Sequence, residues 1–229
     1  MYNFQPVYDI KTKFDVTEVQ ESKKATTSVV FDTNFLFCSA GDIIELDAWV
    51  PDNAIEQIDA LNADPSKIAR SRELGLTDYE GPKEGYEYNV IPEGWDLPAH
   101  ANTLGCLIYN KGDFLAPHRD KWRQVTSEGV TGDSFRLICH LNHTDSTKFH
   151  FVFDNKIFKP EPRRWYAFNS RKVHYGFSFV DGVYHLSAAL SLNDNLRANT
   201  VKWLLEKLPF FQPANDIKVL LVVVINKEI

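Results

Sequence analysis

The 229-residue sequence holds no apolar run long enough to cross a bilayer, the longest being the seven residues from Val219 to Ile225, where a spanning helix needs ~20. Cysteine is scarce. Cys38, Cys106 and Cys139 are odd in number, widely spaced and set in apolar sequence, which suits buried free thiols better than a disulfide framework. The first residues, MYNFQPVYDIKTKFD, lack the basic head and apolar core of a signal peptide, so a reducing, cytoplasmic location is the expectation, with no membrane partner. Positive charge is in deficit, with 25 Lys and Arg against 31 Asp and Glu and a net charge of -6. That balance argues against a nucleic-acid backbone as the main partner, because phosphate contacts need clustered cations. Repeats, low-complexity tracts and linkers are also missing, and the length suits one domain. Residues 1–101 are read as supporting strands, helix and loop, 102–192 as the core, and 193–229 as a closing helix and strand.

Hydrophobic residues make up 44% of the chain and aromatics 13%, enough for a sizeable core rich in strands and a lined pocket. From Asn102 onward short β-prone runs alternate with turns: TLGCLIY, FLAPH, SFRLICHLNH, KFHFVFD, KIFKP, RWYAFN, KVHYGFSFV and VYHLSAALSL. Eight or so short strands in about ninety residues predict a jelly roll or sandwich, so the fold class is mainly β with flanking helices. NKGD, FDNK and FVDG supply hairpin turns. Before this region, SVVFDTNFLF and DIIELDAWV predict strands, PDNAIEQIDALN a helix capped by Asp52, and residues 77–98 a long loop that could serve as a lid. After it, DNLRANTVKWLLEKL has Val201, Leu204, Leu205 and Leu208 at helical spacing, with Asp194 as a cap. The terminal KVLLVVVI is expected to pair within a sheet or at a subunit interface, the latter making a homodimer.

The chemistry concentrates in APHRDKW. His118 and Asp120 are two apart, so an extended chain projects both side chains from one face. A third ligand must come from another strand, and KVHYG supplies His174, 56 residues after His118. Two histidines and one carboxylate on one side of a metal are the ligand set of non-heme Fe(II) oxygenases. Three ligands hold the ion yet leave positions for a co-substrate and O₂, which a closed four-ligand site does not.

With these motifs, residues 103–192, 90 of the 229, resemble the double-stranded β-helix (jelly-roll, cupin-like) core of the Fe(II)/2-oxoglutarate-dependent dioxygenase superfamily. YNKGDFLAPHRD is similar to the prolyl hydroxylases; the order HRD, FRLICHLN, VHYGFSF is closer to the aspartyl/asparaginyl β-hydroxylase and proline-hydroxylase-like group. The resemblance implies His118, Asp120 and His174 as iron ligands, with Fe(II), 2-oxoglutarate and O₂ as cofactor and co-substrates. It further implies hydroxylation of an amino-acid, peptide or other small polar substrate. The presence of Asp120 speaks against halogenation, which keeps that ligand position free for halide.

Many members of the superfamily anchor the far carboxylate of 2-oxoglutarate with an arginine eleven positions after the second histidine, followed two residues later by serine. Here those positions are His185 and Ser187. The serine matches and the arginine does not. Histidine lacks the bidentate fork and fixed charge of guanidinium, so anchoring through it would be weaker or pH-dependent. The resemblance offers Arg136 and His140 on the SFRLICHLN strand as compensating contacts, and Tyr109 as a phenol donor. His143, His150, Arg163 and Arg164 read as surface or turn, Trp165 and Phe168 as core, and Trp122 and Arg123 as residues that could line a substrate entrance. Two other classes remain open: a non-catalytic cupin-like metal-binding module, and a metalloenzyme on the same barrel that uses no 2-oxoacid.

Overall fold

The structure, a computed structural model, describes residues 28–29, 41–71, 81–98, 101–120, 123–126, 129–191, 197–208 and 223–224. In chain order the strands are β1 Ser28–Val29, β2 Ile43–Trp49, β3 Ile68–Ser71, β4 Glu84–Tyr88, β5 Ala101–Tyr109, β6 Phe114–His118 and β7 Arg123–Thr126. They continue with β8 Gly129–His140, β9 Phe149–Phe153, β10 Lys156–Phe158, β11 Arg164–Phe168, β12 His174–Ser178, β13 Val183–Ser191 and β14 Val223–Val224. Helix α1 spans Ala54–Asn62 and α2 spans Arg197–Lys207. No described helix is long and apolar enough to cross a membrane.

Among the described residues β1 and β14 make a separate two-stranded pair, and two larger antiparallel sheets form the body. One runs β2-β11-β8-β13-β5-β4-β3, with β7 paired to β8; the other runs β10-β9-β12-β6. Successive strands β5, β6, β8, β9, β11, β12 and β13 thus alternate one by one between the sheets, with β10 remaining beside β9, which is the winding of a double-stranded β-helix, or jelly roll. Turn chemistry sets the registers. Asp154 and Asn155 take φ of 46° and 63° in the two-residue link that places Phe153 opposite Lys156, the left-handed pair a tight hairpin requires. Gly112 and Gly182, with φ of 89° and 69°, serve the other two expected turns.

Period-two alternation divides the large sheet between two cores. Leu104, Cys106, Leu137, Cys139, Trp165 and Leu186 face the helices, where Ala54 and Ile58 of α1, Leu204 of α2 and Leu208 just after it join them. The alternate residues Tyr109, Ile138, Tyr166, Phe168 and Val183 face the small sheet and meet Phe149, Phe151 and Phe153 of β9 between the layers. Both described cysteines are buried free thiols, and burial raises each above the ordinary thiol range.

Some expectations change. Part of the expected loop 77–98 is β4, which pairs with β5 and β3; its turn-rich composition and its burial, which shows no period-two alternation, gave no strand signal. The residue flanking α1 is Asn53, without a side-chain cap, while Asp52 forms an ion pair with Arg163. Arg164 is no solvated turn residue: its Nε donates to Leu46 O at 2.9 Å and its Nη1 reaches Glu161 and Glu45 at 3.1 and 3.2 Å, tying β11 to β2. Of the C-terminal run only Val223–Val224 is described, paired with Ser28–Val29. Cys38, His100, Trp122 and Asp194, and the side chains of Arg123, Val201 and Leu205, lie outside the described residues.

Candidate metal centre

His118 ends β6 and His174 begins β12, and the antiparallel ladder sets the two directly opposite, with ring centroids 4.3 Å apart. β6 stops at His118, so Asp120 stands just beyond the strand rather than within it. Its backbone N–H donates to Ser170 O at 2.9 Å, fastening it to the turn that leads into β12. One carboxylate oxygen, Oδ1, lies 3.6 Å from His118 Nε2 and 3.8 Å from His174 Nε2. One ligand atom from each residue falls within 4.8 Å of the others.

The backbone orients both rings. His118 Nδ1 lies 2.8 Å from Ala116 O and His174 Nδ1 lies 3.0 Å from Lys172 O. A carbonyl accepts only from N–H, so each Nδ1 carries the proton and each Nε2 turns a lone pair inward. Asp120 completes the set through Oδ1, while its second oxygen, Oδ2, lies 3.8 Å from Arg136 Nε. Burial works to raise the Asp120 carboxyl, but contact with His118 and the charge of Arg136 outweigh it and hold the group below the ordinary carboxylate range. Burial works to lower His118, yet Asp120 and the Ala116 carbonyl leave it raised. At His174 burial prevails over Asp120 and lowers it. Two inward imidazole lone pairs and an ionised carboxylate, with room between their donor atoms, are a donor set that fits a divalent cation.

The other residues singled out in the sequence spread along the space between the sheets. Arg136 sits at the triad. His140 and His185, paired in register on β8 and β13, lie deeper, with His185 Nδ1 2.9 Å from His140 Nε2. Burial pushes His185 down to about 3, helped by the charges of His174 and His118, and drives His140 well below its usual value, helped by His185. A pH-dependent cationic anchor at His185 therefore has little support, since the pair stays neutral through the physiological range. Tyr109 is buried, its ring edge-on to Phe149 at 5.0 Å and its hydroxyl against Gly176. Ser187 is half-buried with its hydroxyl over Gly105. His143 occupies a turn at φ 49°, and His150 packs its ring on Phe179 at 4.8 Å, both away from the triad.

Four contributors escaped the sequence. Ala116, Ser170 and Lys172 act through backbone carbonyls, which leave no side-chain signature. Gly176 acts by having no side chain: a Cβ there would stand 2.9 Å from the Tyr109 hydroxyl.

No family model matches the chain, and no curated protein matches it. Among solved structures it is similar to a predicted oxalate decarboxylase from Thermotoga maritima, at 12% identity and TM-score 0.35, over 55% of this chain and 95% of that one. It is also similar to a viral collagen prolyl hydroxylase from Paramecium bursaria Chlorella virus-1, a 2OG complex, at 12% identity and TM-score 0.41, over 66% of this chain and 96% of that one. Likenesses this distant say nothing of what the chain does, and the jelly roll rests on its own strand order.

Proposed function

We propose that this chain is an Fe(II)-dependent oxygenase that uses a 2-oxoacid co-substrate, 2-oxoglutarate by resemblance, to hydroxylate a C–H bond of an amino-acid, peptide or other small polar substrate. The observation that carries this reading is the convergence of His118, Asp120 and His174, whose ligand atoms lie within 4.8 Å of one another. Iron(II) held there, with the 2-oxoacid and O₂, would supply the oxidising power that an unactivated C–H bond demands.

The chain's own residues prepare that chemistry. Ala116 and Lys172 fix the two histidine tautomers, and Ser170 fixes the backbone of Asp120. Arg136 keeps Asp120 ionised and puts a fixed positive charge next to the metal position, suited to the carboxylate head that every 2-oxoacid carries. Phe151, Phe153 and Phe168 wall the inner side and exclude water, which strengthens each polar contact made there. Tyr109 and Ser187 bring hydroxyl groups to the same interior.

The test is consumption of 2-oxoglutarate under air by protein loaded with Fe(II), read as succinate, against the metal-free protein. Iron-dependent succinate formation supports the proposal. Tight iron binding with no 2-oxoacid consumed would favour a cupin-like binding module or a metalloenzyme of another kind.

A further inference from the structure

Two of the three metal ligands depend on one short turn. Lys172 N–H donates to Asn169 O at 2.9 Å, closing residues 169–172 into a β-turn between the end of β11 and the start of β12. Ser170 O accepts the Asp120 backbone N–H at 2.9 Å, and Lys172 O accepts the proton of His174 Nδ1 at 3.0 Å. A displacement of the turn therefore moves Asp120 and His174 together. His118 takes its orientation from Ala116 O instead and does not follow. The three donor atoms would then no longer converge, and a metal centre tolerates only a few tenths of an ångström of such error.

The turn is fastened from outside by Asp42, the residue before β2. Ile43 stands opposite Phe168, the last residue of β11, so the register brings Asp42 alongside Asn169. Asp42 O accepts the Asn169 N–H at 2.8 Å, Asp42 Oδ1 accepts from Asn169 Nδ2 at 2.8 Å, and Asp42 Oδ2 lies 3.6 Å from Lys172 Nζ. On the other side the Asp154 backbone N–H donates to Val173 O at 2.9 Å, and its carboxylate lies 3.5 Å from the same Lys172.

These contacts are unequal. The side chains of Lys172 and Asp154 are 42% and 52% exposed, and ion pairs so open to water contribute little. The Asn169 amide is half-buried, and its Oδ1 has no partner among the described residues, so the donation from Nδ2 to the Asp42 carboxylate is what fixes it. A hydrogen bond to an ionised acceptor is among the stronger kinds. We propose that Asp42 is a positioning residue for the metal centre, acting through Asn169 and the 169–172 turn on Asp120 and His174. The proposal rests on the reading of the triad as a metal site. It extends that site to a segment outside residues 103–192, which the sequence marks only as support for the barrel.

Calorimetric titration with Mn(II) and the visible spectrum of the Co(II)-loaded full chain test it. Asp42→Ala should lower Mn(II) affinity about tenfold, the lower end for residues that orient ligands, and should shift the Co(II) absorption bands. Asp42→Asn keeps an oxygen for Asn169 Nδ2 and should restore both readouts; an equal loss there would overturn the route through Asn169. Asn169→Ala should match Asp42→Ala, and the double variant should lose no more than either alone. If Asp42→Ala fails to fold, Asn169→Ala decides by the same two readouts. Native Mn(II) affinity and a native Co(II) spectrum in Asp42→Ala would overturn the inference, even with a lowered unfolding temperature, because Asp42 would then only brace the sheet. That result would leave the metal-centre reading intact, whereas native protein that binds no Mn(II) would remove both.

Discussion

At the residue scale the site depends on each group being held in one protonation state by its neighbours. Asp120 touches both histidines through one oxygen and Arg136 through the other. Asp120→Ala should lower divalent-metal affinity by about a hundredfold or more while the far-UV dichroism stays native, because Asp120 lies outside the strands. A variant that keeps native metal affinity would contradict its assignment. Histidine burial predicts an acid dependence in the metal-free protein. His185 sits at about 3 when folded, against about 6.5 unfolded, so the unfolded chain takes its proton first. Stability must then fall as pH drops below about 6.5, on the order of 1.4 kcal/mol per pH unit for each such proton. His140 acts in the same direction. Asp120, depressed when folded, is lost only at lower pH, whereas His118, raised when folded, stabilises at low pH and releases that contribution as pH rises. Urea unfolding from pH 7 to pH 4 should show the net fall, with a shallower slope in His140→Phe; a rise on acidification would contradict the neutral pair. The triad was legible because spacing of two and a distant histidine are written in side chains. The neutral state of His185 was not, because it follows from burial between the sheets and from the nearby His174 and His118.

At the element scale, β12 does the most for the site. It sets His174 against His118 on one edge and Phe153 on the other, and two residues on it has Gly176 where a side chain would strike Tyr109 and Phe149. Gly176→Ala should destabilise by about 1–3 kcal/mol in urea unfolding. Part of that loss should return in the Gly176→Ala/Tyr109→Phe double variant, since the hydroxyl at 2.9 Å is the first obstacle. Full additivity would show that the glycine serves some other purpose. Sequence reading recovered the strands that alternate cleanly and the turns with Asp-Asn or Gly at left-handed positions. It missed β4, whose glycine and acidic residues suit a loop and whose strand conformation comes from pairing with β5. It also misjudged Arg164, because a charge reads as solvated until a neighbouring carbonyl and two carboxylates appear around it.

At the scale of the whole molecule the jelly roll brings residues 56 apart in sequence into one site, because β6 and β12 are neighbours in the small sheet. Strand number and turn chemistry pointed to that architecture. The pairing order, a matter of long-range contacts, needed the structure. A metal that joins β6 to β12 binds the folded chain alone, so it should raise thermal stability, by about 2.7 kcal/mol at a hundredfold excess over its dissociation constant. Chelator should reverse the gain, and His174→Ala should not show it in calorimetric scans. The most direct measurement is anomalous diffraction from crystals grown anaerobically with Fe(II). The account predicts one iron peak about 2.0–2.3 Å from His118 Nε2, His174 Nε2 and an Asp120 carboxylate oxygen. Iron bound elsewhere, or no iron at saturating concentration with the three side chains turned apart, would contradict it.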